Sequence, residues 1–124
     1  MTTNTEIAKF ETEIGLTIFE NQPMRLVLIE SRKFQQVSDV KPATWQDLMV
    51  YAKAKNASLP TRIDGLVLFE RAKDKFKTDL PYWTCEEYTG SSTYAWTQWF
   101  LNGTQRRWTK GYEYRACLVR RFKL

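Results

Sequence analysis

Histidine is absent from this chain of 124 residues. The commonest general base and the commonest transition-metal ligand are therefore missing, which excludes histidine-based catalytic triads and most zinc chemistry. Cysteine is scarce: Cys85 and Cys117 are too few for the disulfide framework of a small secreted domain, and their spacing matches no zinc pattern. They read as two reduced thiols on or near adjacent strands, with a bridge open if those strands are neighbours. Long hydrophobic runs are missing too, since no window approaches the roughly 18 apolar residues of a membrane span. The opening, MTTNTEIAKFETEIG, lacks the basic-then-apolar order of a signal peptide. These absences predict a cytoplasmic protein, or one exported without a signal, that does not sit in a membrane.

What is present fits one globular domain over residues 1–124, with 43% apolar and 27% charged residues. The formal charge of +5 is unevenly spread. Residues 1–100 carry 12 Lys or Arg against 13 Asp or Glu, a net of −1, whereas residues 101–124 carry seven (Arg106, Arg107, Lys110, Arg115, Arg120, Arg121 and Lys123) against Glu113 alone, a net of +6. A strand pair bearing that many cations would focus an acidic partner. The plainer alternative is a set of solvated arginines with their stems laid over tyrosines and tryptophans.

Along the chain, NTEIAKFETEIG reads as a short helix or irregular lead-in, followed by a β-like LTIFE. MRLVLIE is a strand whose continuous Leu26, Val27, Leu28 and Ile29 predict burial on both faces. RKFQQVSDVKPA turns outward toward Pro42. Thr44 with Asp47 three positions on predicts a capped helix whose Trp45, Leu48, Met49 and Ala52 share a face, ending in cation-bearing KAKNA. Thr61 with Asp64 repeats that syntax, and Leu66, Phe69, Ala72 and Phe76 form the expected stripe of a second helix. Trp45, Phe69 and Phe76 are expected in the core.

After Pro81 the pattern becomes extended. YWTCEEY is a strand, TGSST a loop and YAWTQWFL a second strand. Asn102-Gly103 signals a two-residue hairpin turn, with TQRRWT returning. YEYRACLVRRF is the expected last strand of the same antiparallel meander, central for half its length and edge-like near Arg120.

Four elements in order resemble a known family: the Thr44-Trp45 helix start, Leu59-Pro60-Thr61, the YWTCEEY stretch from Tyr82 to Tyr88, and YAW with NG leading to RACLVRR at Arg115 to Arg121. Residues 44–122 resemble the C-terminal domain of the Lcl-type collagen-like adhesins, a branch of the C-type-lectin fold that also occurs as small phage and prophage proteins. Residues 1–40 form a strand-containing lead-in outside the resemblance. The resemblance implies an α+β, C-type-lectin-like fold with two helices packed on a twisted antiparallel sheet and the termini together. It also implies a display scaffold for binding, in host cytoplasm or on a virion. The acidic-proline-asparagine and Trp-Asn-Asp calcium signatures of sugar-binding members are absent, with Glu86-Glu87 the nearest acidic pair, so neither metal nor cofactor is expected.

Fold does not supply function, so the site is read from residue types. Tyr and Trp offer rigid contact area, while Ser, Thr and Gly offer adaptable polar contacts, which is the composition of YTGSSTYAW. The leading expectation is a non-enzymatic module that binds a protein or glycan through Tyr88, Tyr94, Trp96, Trp99, Arg106, Arg107, Trp108, Arg120 and Arg121. The alternative is a phage counter-defence inhibitor whose basic terminal strands bind nucleic acid or a host nucleic-acid-processing complex. An enzyme would have to use Cys85 or Cys117 as nucleophile with a carboxylate base. Oxidases of the formylglycine-generating type share the broad fold, but they are much larger and their cysteine pairing has no match here.

Overall fold

A computed structural model describes the backbone of residues 13–21, 24–31 and 41–123, and the side chains of residues 41–121. Two antiparallel hairpin strands come first, β1 (Glu13–Asn21) and β2 (Met24–Ser31), with a bulge between Thr17 and Phe19. Of the helix or lead-in expected over residues 4–15, residues 13–15 belong instead to β1, and the rest lies outside the described residues, as do residues 32–40 of the outward turn expected over 32–43 and the side-chain burial expected for β2. Two helices follow, α1 (Trp45–Ala54) and α2 (Arg62–Ala72), the second running into a 3-10 turn at Lys73–Lys75. Then come β3 (Tyr82–Glu87), β4 (Tyr94–Gln98), β5 (Gln105–Thr109) and β6 (Leu118–Lys123). The architecture is α+β, with two three-stranded antiparallel sheets in the orders β1-β2-β6 and β3-β4-β5.

Both helix starts follow from local hydrogen bonding. The Thr44 hydroxyl accepts from the Asp47 N–H at 3.3 Å. Thr61 forms a reciprocal box, accepting from the Asp64 N–H at 3.1 Å while its own N–H donates to the Asp64 carboxylate at 2.9 Å. The rotation of α2 differs from its expected stripe. Ala72 is buried as expected, but Leu66 is 50% exposed, and Gly65 and Leu68 face inward instead. Close approach decides this, because only a residue without a β-carbon lets α2 sit against Gln98 of β4. Phe76 is buried as expected, but it lies past the helix in extended backbone.

The meander also departs from expectation in two places. The hairpin between β4 and β5 is wider than two residues: the Trp99 N–H donates to the Thr104 carbonyl at 2.9 Å, and Gly103 has positive φ whereas Asn102 does not. The strand stops at Gln98 because Phe100 turns inward to stack on Phe76, with ring centroids 3.7 Å apart. Residues 112–122 are not one strand of that sheet. Tyr114 exchanges backbone hydrogen bonds with Ala43, and the Arg115 N–H donates to the Pro81 carbonyl at 3.0 Å. Only from Leu118 does β6 form, and it pairs with β2. Alternate residues of this stretch serve two separate clusters. Ala116 and Leu118 pack with Trp45, Leu48, Leu59, Trp83 and Ala95, while Cys117 and Val119 pack with Leu68, Phe76, Tyr82 and Phe100.

The two helices flank the β3-β4-β5 sheet. Tyr82 and Gln98, paired across β3 and β4, face α2, whereas Trp83 and Ala95 face α1. On this side α2 meets Gln98 and, through Arg62, Trp96, while Tyr94 at the far end of β4 is exposed.

Candidate recognition face

Strand alternation places Tyr94, Trp96 and Gln98 of β4 on one face, opposite Thr109, Arg107 and Gln105 of β5. Gln98 is wholly buried under α2, while Trp96 is half-buried and Tyr94 exposed. Tyr88, just beyond β3, joins them. Its ring meets those of Tyr94 at 6.4 Å and Trp96 at 5.9 Å, both edge-on. Gly90 in the following turn lies against Tyr88, where a β-carbon would come within 2.6 Å of the ring.

Two guanidinium groups are laid over these rings. Arg107 sits 4.4 Å from the Tyr88 centroid, and Arg62, the first residue of α2, sits 3.6 Å from that of Trp96. Each such contact contributes about 0.5–1 kcal/mol at an exposed site. The Arg62 Nε donates to the Gln105 side chain at 3.1 Å, and Gln105 in turn donates to the Arg62 carbonyl and to Gln98, each at 2.7 Å. The Arg62 N–H donates to Glu86 at 2.6 Å. The order Arg62, Trp96, Tyr88, Arg107 is thus a preassembled ladder of rings and cations.

Of the nine residues singled out from sequence, four assemble here: Tyr88, Tyr94, Trp96 and Arg107. Trp99 is half-buried at the entrance to the β4-β5 loop, and Arg106 is exposed on the opposite face beside Thr97. Trp108 shares that opposite face with Ala95 and packs edge-on to Tyr112 and Tyr114 beside the α1 cluster. Arg120 is 6% exposed and donates to the Lys55 and Asn56 carbonyls at the end of α1, at 2.8 and 3.1 Å. Arg121 pairs with the buried Asp64 carboxylate of α2. Arg120 and Arg121 line, with Lys53, Asn56 and Ser58, an open cleft of about 350 Å³ on another side of the molecule. Among the described residues, the cations of 101–121 are therefore dispersed rather than pooled. Arg115 is bound to Asp79, and Lys110 to Glu87 at 3.4 Å and to the Trp45 ring.

Arg62 escaped the sequence reading, although it carries a signal. A cation at the first position of a helix opposes the helix dipole, where a carboxylate is preferred. The Glu86 contact and the Trp96 ring offset that penalty.

Neither thiol is activated for attack. Burial, then the Glu86 charge, pushes the Cys85 thiol up, and burial pushes Cys117 far above the ordinary thiol range, opposite to the shift a nucleophile needs. Both cysteines are free. Among the described residues no three His, Cys, Asp or Glu side chains converge as a metal site would require, and no helix is long and apolar enough to cross a membrane. No protein-family model matches the chain, and no curated protein matches it.

Proposed function

We propose that the protein is a non-enzymatic binding module of C-type-lectin-like fold, phage or prophage encoded and acting in the host cytoplasm or on a virion. It recognises a protein or glycan through the outer face of the β3-β4-β5 sheet. One observation carries the reading: Tyr88, Tyr94, Trp96 and Arg107, drawn from three segments, meet on one surface, with Arg107 over Tyr88 and Arg62 over Trp96. Residues of these types dominate binding energy at interfaces, and rings already locked lose little entropy on docking. Two further features support the lectin-like reading, namely two helices beside an antiparallel sheet and the pairing of β6 with β2, which joins the two ends of the described chain in one sheet.

The test compares capture of glycans on an array and of proteins from a bacterial host by the native protein, a Tyr94→Ser, Arg107→Glu double variant, and Tyr112→Ser, which alters an exposed tyrosine elsewhere. A partner retained by the native protein and Tyr112→Ser but lost by the double variant is the expected result. Equal retention by all three would overturn the assignment of the face.

The counter-defence alternative draws on the exposed Arg106 and Arg107 pair. Their side chains leave opposite faces of β5, and the remaining arginines of the tail are engaged within the fold. That arrangement favours the aromatic face over a continuous track for phosphates.

A further inference from the structure

The recognition face carries two guanidinium groups whose hydrogen-bonding edges are uncommitted to any carboxylate. Among the described residues, no Asp or Glu lies within ion-pair distance of the Arg107 or Arg62 side chain, in contrast to Arg115 with Asp79 and Arg121 with Asp64. The nearest acid, Glu86, is directed at the Arg62 backbone N–H. A guanidinium that stacks does so with its flat face, so its in-plane N–H donors stay available for a planar anion. Stacking over Trp96 and Tyr88 therefore pre-orders both guanidinium groups: the Arg62 Nε–H is committed to Gln105, which fixes that group further and leaves its terminal Nη donors for a ligand, while stacking consumes none of the Arg107 donors. Arg62 is also a locally unfavourable choice for the start of α2.

We infer that this face takes an acidic partner: a carboxylate-rich protein segment whose side chains are gripped by Arg62 and Arg107 while its neighbouring atoms rest on Tyr94 and Tyr88. The inference rests on the binding face proposed above and names the chemistry of what binds there. A protein segment fits better than a nucleic acid for a stated reason. Base stacking draws on a run of open ring faces, and one face each of Trp96 and Tyr88 is already covered by a guanidinium group, which leaves Tyr94 as the one exposed ring of this cluster without a cation over it. Duplex binding needs a row of phosphate contacts, which two forks flanked by Glu86 do not provide.

The experiment is a titration of isotope-labelled protein, followed by NMR at the Nε–H of Arg62 and Arg107 and the Nε1–H of Trp96. The probes are capped hexaglutamate, capped hexaglutamine and heptathymidylate, the last matching hexaglutamate in charge. Hexaglutamate is expected to shift all three signals, hexaglutamine none, and Arg107→Gln to weaken the response about tenfold, as for loss of one charge-assisted contact. Arg107→Lys, which keeps the charge but loses the planar fork, should recover only part of it, and Lys77→Gln, the same charge change at a distant exposed site, should match the native protein. Unchanged dispersion of the other signals reports that each variant folds. Tighter binding of heptathymidylate at these signals would overturn the inference in favour of nucleic acid. Silence toward every probe would also overturn it, and if the Tyr94→Ser, Arg107→Glu variant still lost its captured partner, the binding face itself would stand with a neutral ligand.

Discussion

Gly65 lies against Gln98 so closely that a β-carbon on it would stand 2.9 Å from the Gln98 amide oxygen. Gln98 cannot swing aside, since it is wholly buried, accepts from Gln105 and donates to the Trp99 carbonyl at 2.9 Å. Gly65 and Arg62 are three residues apart on one helix, so the same contact that seats α2 on the sheet also brings Arg62 over Trp96.

Replacing Gly65 by Ala sets two effects against each other. Helix propensity favours Ala by about 1 kcal/mol. Overpacking against a fixed neighbour costs about 1–3 kcal/mol. Gly65→Ala is expected to destabilise by up to about 2 kcal/mol in urea unfolding, with a change in Trp96 fluorescence as Arg62 is displaced.

Gly90 tests the face without testing the fold. A β-carbon there collides with the exposed side of the Tyr88 ring, which can rotate away. Gly90→Ala should leave stability within about 0.5 kcal/mol while moving Tyr88 off Arg107. Loss of the ring-current shift at the Arg107 side chain would report it.

Arg120 and Arg106, side by side in the sequence reading, should now behave differently. Removing the Arg120 side chain leaves two carbonyls at the end of α1 without their charged donor. Arg120→Met should cost about 2–4 kcal/mol, whereas Arg106→Gln, at an exposed position, should cost less than about 0.5 kcal/mol. Chemical denaturation of both variants checks the contrast.

The Asp79 carboxyl is held at about 2, below its ordinary 3.8, chiefly by its hydrogen bonds with Arg115 at 2.8 and 2.9 Å. Because the folded value is the lower one, the pair contributes stability that is present above about 3.8 and is lost as pH falls toward 2. Arg115→Gln should return the Asp79 titration to the ordinary carboxylate range, read by carbon NMR of the carboxyl group.

Both cysteines are reduced, and both thiols are pushed up by burial. A thiol reagent at pH 8 should label Cys85 slowly and Cys117 not at all in the native protein, and both at once in denaturant. Two unreactive cysteines in denaturant without reductant would instead reveal a bridge.

Much of the fold was legible because the relevant forces act over three or four residues. Thr44 and Thr61 announced their helices through hydrogen bonds to the N–H groups of Asp47 and Asp64. The extended run after Pro81 announced its strands through β-favouring side chains. Half of the candidate face was legible for a related reason: Tyr94 and Trp96 are two residues apart on a strand and must share a side.

The failures share one physical origin. Whether a cation is a ligand or a brace depends on what lies opposite it, and the partners are remote. Arg115 meets Asp79 across 36 positions, Arg121 meets Asp64 across 57, and Arg120 meets Asn56 across 64. Composition correctly located the charge at the end of the chain but could not say that Lys110, Arg115 and Arg121 meet carboxylates, and Arg120 backbone carbonyls, within the fold. The wider β4-β5 hairpin had a similar cause, since burial of Phe100 against Phe76 overrode the turn preference of Asn102-Gly103.

By itself, then, the amino-acid order determined the helix starts, the strand alternation and the stock of rings and guanidinium groups, because backbone sterics and nearest-turn hydrogen bonds are encoded locally. Tertiary structure alone decided which sheet received β6, which way α2 is rotated, and that Arg62 and Arg107 lie over Trp96 and Tyr88, because each outcome depends on close packing between segments that no local preference brings together.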